Sequence, residues 1–166
     1  KLFRWIVDLQ GVFGPKVKGT KKEEFYINGI KTWKISTPSS DPNRILLYFH
    51  GGAYSLGSPK SHYSLVSYLA DITKTTIYVP NYRLGPESKY PSQLNDALTV
   101  YEYLLNEKKY KSDQIAFGGD SAGGNLALVA LLKLIDSDND LPTSLALLSP
   151  WTDLTGTGTT YTENMA

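Results

Sequence analysis

Between residues 45 and 148, short apolar runs alternate with stretches of helical periodicity, and this alternation limits the possible folds more than any other feature of the sequence. The apolar runs are too short for helices and fit strands that are covered on both faces. The intervening stretches place an apolar residue about every 3.6 positions, as expected of helices that bury one side. Strands that alternate with helices are typical of a mostly parallel sheet with helices on both faces. The pattern predicts an α/β fold, with strands at residues 45–49, 76–79, 115–117 and 145–148.

The residues before position 45 predict a different arrangement. Residues 1–20 have apolar side chains at loosely helical spacing before a Gly-Pro breaker, which favours a short helix followed by a loop. Residues 25–27 and 30–35 are strand-like and flank Asn28-Gly29, a pair that strongly favours a tight hairpin. We therefore expect two antiparallel strands to open the sheet.

Composition excludes several classes of function. The 17 basic and 16 acidic residues are well mixed and leave a net charge of +1, so we expect no nucleic-acid partner. Without cysteine the chain forms no disulfide and uses no thiolate. No apolar run approaches the roughly 20 residues that span a bilayer. We expect a soluble protein without a transmembrane segment, with the cytoplasm slightly favoured as its location, and the sequence predicts no oligomeric state.

A G-x-S-x-G motif, residues 119–123, follows the strand at residues 115–117 and opens an apolar helical stretch. A serine held on a sharp strand-to-helix turn needs small neighbours, and the motif supplies a glycine on each side. The start of the helix directs free N–H groups and a partial positive charge at this point, where Ala122 would supply one N–H to an oxyanion. The motif predicts that Ser121 is a nucleophile. The alternative is a serine that only caps an ordinary helix.

A second glycine-rich turn, His50-Gly51-Gly52-Ala53, follows the strand at residues 45–49. An oxyanion hole needs a loop whose backbone approaches the substrate oxygen without intervening side chains. Taken alone, this segment indicates only a tight glycine turn. Together with the serine motif, it matches the HGGG-type element that accompanies the nucleophile in lipases and esterases, with Ala53 in the last position.

With these residues the chain resembles the hormone-sensitive-lipase-like branch of the α/β-hydrolase superfamily. Four blocks carry the resemblance, in the family's order: LLYFHGGAYSLGSPKSH at residues 46–62, NYRLGPE at 81–87, GGDSAGGNLA at 118–127 and SPWTDL at 149–154. The resemblance implies the α/β-hydrolase fold with Ser121 as nucleophile. It also implies an oxyanion hole formed by the N–H groups of Gly52, Ala53 and Ala122, with Gly51 as the turn glycine of that loop.

The resemblance further implies an activity and a domain plan. It implies a serine carboxylesterase or lipase-like hydrolase that acts on small carboxylic esters through an acyl-serine intermediate. It implies acyl chains of short to medium length, and neither a metal nor an organic cofactor. Residues 1–20 would then contribute to a cap, and residues 21–166 would form the N-terminal part of a single catalytic domain.

The sequence lacks part of what such a mechanism needs. A serine hydroxyl requires an imidazole base and an orienting carboxylate, and in this fold both follow the serine. The two histidines of the chain, His50 and His62, precede it, and we expect structural roles for both. We also expect Arg83 and Glu87 to form an internal ion pair or a loop brace. The chain is therefore expected to be an N-terminal fragment, truncated after about the sixth strand and inactive alone.

Two other functions stay open at this point. Receptor-like members of the same branch keep the pocket but not the catalytic histidine, so a non-catalytic protein that binds a small molecule is the main alternative. A phosphate- or dinucleotide-binding loop would also follow a strand and open a helix. The glycines at positions 118, 119, 123 and 124 do not match G-x-G-x-x-G, which argues against a nucleotide site.

Overall fold

The computed structural model describes residues 2–159, except for the side chains of Leu2, Phe3 and Gln10. The helices in this part of the chain are α1 (Leu2–Phe13), α2 (Tyr63–Thr73), α3 (Ser92–Asn106) and α4 (Ala122–Asp136). The strands are β1 (Lys21–Ile27), β2 (Ile30–Ser36), β3 (Asp41–Phe49), β4 (Thr75–Pro80), β5 (Ile115–Asp120) and β6 (Ser144–Leu148). A short 3-10 helix, Ser112–Gln114, leads into β5. None of the helices described has both the length and the apolar character needed to cross a membrane.

The strands form one sheet in the order β1-β2-β4-β3-β5-β6. β2 pairs in antiparallel register with both β1 and β4, whereas the pairs β4–β3, β3–β5 and β5–β6 are parallel. Asn28 and Gly29 connect β1 to β2 with φ angles of 46° and 83°, the left-handed conformations that a two-residue turn needs. The predicted mostly parallel α/β sheet, opened by an antiparallel hairpin, is confirmed.

Helices cover both faces of the sheet, and consecutive residues of β3 point alternately to the two sides. Leu46 and Tyr48 join the apolar cluster under α2, whereas Leu47 and Phe49 join the larger cluster under α3 and α4. Because side chains alternate along a strand, a strand buried on both faces must be apolar at every position. This explains the uninterrupted apolar run that the sequence shows at residues 45–49.

The parallel register brings the two glycine-rich segments together. Phe49, the last residue of β3, is paired with Gly119 near the end of β5. The loop at residues 50–53 (the glycine loop) and the turn at residues 119–123 (the serine turn) therefore leave the same edge of the sheet from neighbouring strands. Open α/β sheets bind their ligands outside this carboxyl edge.

Apolar surface is exposed at the β6 side of the molecule. β6 lies at the edge of the sheet, and its last residue, Leu148, is 43% exposed. In the second half of α4, Leu132 and Ile135 are each 51% exposed. Exposed apolar side chains and an open sheet edge both favour association with other surfaces.

Candidate active site

Ser121 occupies the junction between β5 and α4 in a strained backbone conformation. Its φ is 50° and its ψ is −119°, a combination that residues other than glycine rarely adopt. Two hydrogen bonds hold this conformation: the N–H of Ser121 donates to the carbonyl of Leu148 (3.0 Å), and its own carbonyl accepts from the N–H of Trp151 (2.9 Å). The side chain does not cap α4, and its Oγ has no hydrogen-bond partner within residues 2–159. The hydroxyl is therefore free at the start of the helix.

The glycines beside Ser121 are explained by close contact with the end of β3. A Cβ atom at Gly123 would overlap the carbonyl oxygen of Phe49 and lie 2.6 Å from that of His50. A Cβ atom at Gly119 would lie 2.7 Å from the same Phe49 oxygen. Larger residues would push the serine turn away from β3. The small neighbours predicted from the motif thus allow the serine turn and the glycine loop to touch.

Gly52 and Ala53 lie in the glycine loop with left-handed backbone angles. Their φ angles are 126° and 51°. The carbonyl of Gly52 points back into the loop, where it accepts hydrogen bonds from the N–H groups of Ser55 (2.9 Å) and Leu56 (2.8 Å). In the part of the chain that the structure describes, the N–H groups of Gly52 and Ala53 have no acceptor. These two amides are therefore available to an oxygen atom of a ligand.

The other two predicted residues differ in what their amides do. The N–H of Gly51 donates to the carboxylate of Asp120 at 2.9 Å, so Gly51 shapes the loop and offers no free donor. Ala122 is the first residue of α4, and its N–H has no partner within the helix. The first turn of α4 has no acidic side chain, so the partial positive charge at this helix end is not compensated from within the helix.

The two histidines do not contact the hydroxyl of Ser121. His50 is fully buried and stacks on Tyr82 with ring centroids 4.3 Å apart, and its Nδ1 lies 2.9 Å from the carbonyl oxygen of Gly51. Burial lowers the pKa of His50 to about 3, so its ring is neutral near pH 7. His62 lies at the start of α2 and directs Nε2 toward Asp120 at 3.3 Å. Both rings hold loops in place, in keeping with the structural roles expected for them.

No catalytic triad is assembled within the residues described. Asp136, Asp138 and Asp140 lie at or beyond the exposed far end of α4. Asp153 accepts hydrogen bonds from Thr155 and Thr157, which lower the pKa of its carboxyl group well below the ordinary value. Glu163 lies outside the described residues. Across residues 2–159, no three His, Asp or Glu side chains are grouped so as to hold a metal ion.

Of the two roles expected for Arg83 and Glu87, the structure shows the loop brace and not an ion pair between them. Arg83 pairs instead with Asp96, a carboxylate buried in α3, with Nη2 2.7 Å from Oδ1. Glu87 pairs with Arg4 of α1, again through Nη2, at 2.8 Å. Arg83 and Glu87 both brace the loop between β4 and α3, but each does so through a partner that neither the motif nor its spacing indicates.

Sequence reasoning misses Asp120, the residue that precedes Ser121. Its side chain is 26% exposed and contacts Tyr48, Gly51 and His62. These partners lie 72, 69 and 58 positions away along the chain, so no local pattern pairs them with Asp120. The signal that could have found Asp120 is the presence of a carboxylate among buried glycines. A buried carboxylate needs several hydrogen-bond donors.

An apolar cavity of about 280 Å³ lies beside the first turns of α4. Its wall includes Tyr54 next to the glycine loop and Asn125, one helical turn after Ser121. The hydroxyl of Tyr54 donates to Oδ1 of Asn125 at 2.6 Å, which ties the loop to the helix. Leu94, Leu126, Val129 and Leu154 supply most of the remaining apolar surface. The cavity can hold a small apolar group close to the serine turn.

Comparison with known proteins identifies the family to which this fold and this pair of loops belong. Residues 46–166 match the alpha/beta hydrolase fold family, and the chain belongs to that family. The α/β-hydrolase fold expected from the resemblance is thereby confirmed.

Individual relatives and solved structures are similar over most of this chain. An acetyl-hydrolase of Streptomyces hygroscopicus is 40% identical over 129 residues, which cover 78% of this chain and 43% of the relative. An esterase of Acinetobacter venetianus is 35% identical over 127 residues, 76% of this chain and 41% of the relative. The crystal structure of an esterase from the bacterial hormone-sensitive lipase family is 33% identical and superposes with a TM-score of 0.91, over 97% of this chain and 54% of that chain. This chain thus spans about half the length of the proteins it matches.

Proposed function

We propose that the full-length protein hydrolyses small carboxylic esters, with Ser121 as the nucleophile that accepts the acyl group. One observation carries the proposal: the strained serine turn, whose serine hydroxyl is free, contacts the glycine loop, in which two amides have no acceptor among the described residues. Acetyl-hydrolase and esterase activities among the relatives support the same class of reaction.

In the proposed reaction, Oγ of Ser121 attacks the ester carbonyl carbon. The carbonyl oxygen then becomes an oxyanion that accepts hydrogen bonds from the N–H groups of Gly52, Ala53 and Ala122. A general base takes the serine proton and passes it to the departing alcohol, which leaves an acyl-serine. Water then gives its proton to the same base and attacks the acyl group, which releases the acid and restores the hydroxyl. The start of α4 at Ala122, whose first turn holds no acidic side chain, adds favourable charge where the negative oxygen develops.

The proposal places the base and its carboxylate outside the residues described. Neither His50 nor His62 contacts the hydroxyl of Ser121, and their hydrogen bonds are made to other groups. Because the matched region covers only 43% and 41% of these two relatives, we assign both groups to a part of the full-length protein outside this chain.

The proposal also gives a role to each of two parts of this chain. Residues 1–20 contribute to a cap, because α1 packs on α2 and its Arg4 donates to the carbonyl of Ser55, next to the glycine loop, at 2.7 Å. Residues 21–166 are the N-terminal part of the catalytic domain. The apolar cavity beside α4 accommodates the acyl or the alcohol group, and its volume of about 280 Å³ fits substrates of short to medium length.

The direct test is hydrolysis of a chromogenic short-chain ester by the full-length protein and its Ser121→Ala variant. We expect Ser121→Ala to lower kcat by at least about 10⁴-fold, because loss of the nucleophile removes the covalent route. The matched control is Ser137→Ala, at the opposite end of α4, which should retain the wild-type rate.

The same assay separates the enzyme from the receptor-like alternative. A binding protein would take up a non-hydrolysable ester analogue, and its hydrolysis rate would be equally negligible in the wild type and in Ser121→Ala. Equal and substantial hydrolysis by both would remove Ser121 from the mechanism. Mass spectrometry after labelling with a fluorophosphonate should place the label on the peptide that contains Ser121.

A further inference from the structure

The carboxylate of Asp120 lies between the serine turn and the glycine loop and accepts hydrogen bonds from both sides of this junction. Its Oδ1 accepts from the N–H of Gly51 at 2.9 Å and from the hydroxyl of Tyr48 at 2.8 Å. Its Oδ2 lies 3.3 Å from Nε2 of His62. Donors from β3, from the glycine loop and from the start of α2 thus converge on the residue that precedes Ser121.

The distances indicate which atom carries the hydrogen in the contact between His62 and Asp120. The N–H of Gly51 lies 2.9 Å from Oδ1 of Asp120 but 3.3 Å from Nε2 of His62, so it donates to the carboxylate. Nε2 of His62 is then the donor toward Oδ2 of Asp120. Nδ1 of the same ring lies 2.9 Å from Oγ of Ser61, which fixes the orientation of the imidazole.

The shape of the glycine loop depends on this carboxylate. A Cβ atom at Gly51 would overlap Oδ2 of Asp120 and lie 3.0 Å from its Cγ. The carboxylate therefore occupies the space that any side chain at position 51 would need. Position 51 is glycine because Asp120 packs against it, and the hydrogen bond from its amide fixes the point at which the loop begins.

The charge of Asp120 is balanced by its donors. Burial alone would raise the pKa of this carboxyl group, but hydrogen bonds from His62, Tyr48 and the amide of Gly51 outweigh burial and lower the pKa below the ordinary value. The group is thus an anion near pH 7. An unbalanced anion beside a developing oxyanion would oppose it, so the benefit of Asp120 lies in geometry.

We propose that Asp120 is a positioning residue, which holds the glycine loop against the serine turn so that the amides of Gly52 and Ala53 face the reacting oxygen. The inference rests on the proposed function, since it concerns the oxyanion formed at Ser121. Small displacements of such donors carry large penalties, because stabilisation depends on hydrogen bonds already aligned before the reaction.

The test compares wild type and Asp120→Ala in the full-length protein, with rates expressed per active site after burst titration. We expect kcat to fall about 10- to 100-fold, less than the roughly 100- to 1,000-fold cost of removing an oxyanion donor altogether, while KM changes less than about two-fold. We also expect the preference for an ester over the matching thionoester to fall about ten-fold, because this preference reports on alignment of the oxyanion donors.

Asp120→Asn provides the conservative comparison. Its side-chain oxygen can accept the same two bonds from Gly51 and Tyr48 that Oδ1 accepts, so we expect kcat and the ester preference to return to within about three-fold of wild type. Asp113→Ala is the matched control, because Asp113 is exposed in the 3-10 helix that enters the opposite end of β5. It should change neither quantity.

The inference is overturned if Asp120→Ala keeps both the wild-type kcat per titrated site and the wild-type ester preference. If this variant does not fold, Tyr48→Phe removes a single bond to Oδ1, and an unchanged ester preference there would overturn the inference instead. Failure of the proposed function looks different. In that case Ser121→Ala would hydrolyse the ester as fast as wild type, whatever Asp120 does.

Discussion

His50 combines full burial with a titratable ring. Its Nε2 is buried without a hydrogen-bond partner within the described residues, and Tyr82 both stacks on the ring and donates to the His50 carbonyl at 2.6 Å. A charged ring would be cut off from water, and its second N–H, at Nε2, would have no acceptor among the described residues. The ring of His50, at the start of the glycine loop, is therefore neutral in the folded protein.

This environment predicts a pH dependence of stability. The ordinary pKa of 6.5 applies to the unfolded chain, whereas burial lowers the pKa of His50 to about 3 in the folded state. As pH falls below 6.5, only the unfolded chain takes up the proton, so His50 causes a progressive loss of stability that is complete near pH 3. The full effect is on the order of 5 kcal/mol.

The measurement is the free energy of unfolding in urea at about pH 7 and about pH 4.5. The comparison variant is His50→Asn, whose amide can still donate to the Gly51 carbonyl. We expect it to be less stable at neutral pH but to lose less stability on acidification than wild type, because it has no proton to take up. Parallel losses in the two proteins would show that His50 can be protonated in the fold.

At the scale of secondary-structure elements, Arg4 connects α1 to two loops near the candidate site. Its guanidinium donates to the carbonyls of Ser55 (2.7 Å) and Gly85 (2.6 Å) and pairs with the carboxylate of Glu87. The side chains of this ion pair are 30% and 57% exposed, so the charge contribution is screened. The geometric contribution is larger, since one planar group spans three acceptors from two loops.

We expect Arg4→Met to release α1 without unfolding the sheet. Amide hydrogen exchange within Leu2–Phe13 should accelerate about ten-fold, while the melting temperature changes by no more than a few degrees. Arg44→Met is the matched control, because Arg44 is exposed on β3 and its loss changes the net charge equally. Equal exchange rates of α1 in both variants would show that Arg4 does not hold the helix.

Elements of this fold are readable from the sequence where the signal is local. The hairpin follows from Asn28-Gly29, and β3 follows from its uninterrupted apolar run. The order of the strands in the sheet could not be predicted in the same way. β4 lies between β2 and β3, and no local pattern in the sequence indicates which apolar runs become neighbours. Likewise the partner of Arg83 comes from α3, so the loop motif that contains Arg83 could not indicate it.

At the candidate site, too, local motifs can be read from the sequence and tertiary contacts cannot. Ser121, Gly51, Gly52, Ala53 and Ala122 can be singled out because each lies in a short motif with a mechanical reason for its residue types. Asp120 cannot, since its three donors are contributed by distant segments that meet only when the sheet has formed. Local motifs thus reveal which atoms could react, and tertiary packing reveals what holds them.

The exposed apolar side chains of α4 and β6 predict how this chain of 166 residues behaves in isolation. Leu132, Ile135 and Leu148 are each at least 43% exposed, so the chain should self-associate. Ile135→Lys should raise the concentration at which association begins several-fold, because it removes apolar surface and adds charge. Ser137→Lys adds the same charge close to position 135 without removing apolar surface, and should raise that concentration much less. Light scattering over a concentration series measures both, and equal effects would show that charge alone governs association.

The backbone of Ser121 is tied on both sides to residues that come about 30 positions later, Leu148 and Trp151. During synthesis on the ribosome, a nascent chain that ends with α4 would already contain the serine and every amide proposed to serve it. It would lack both ties that hold the serine in its unfavourable backbone angles. The strained turn at Ser121 can therefore be held in place only after residue 151 has been made and β6 has joined the sheet.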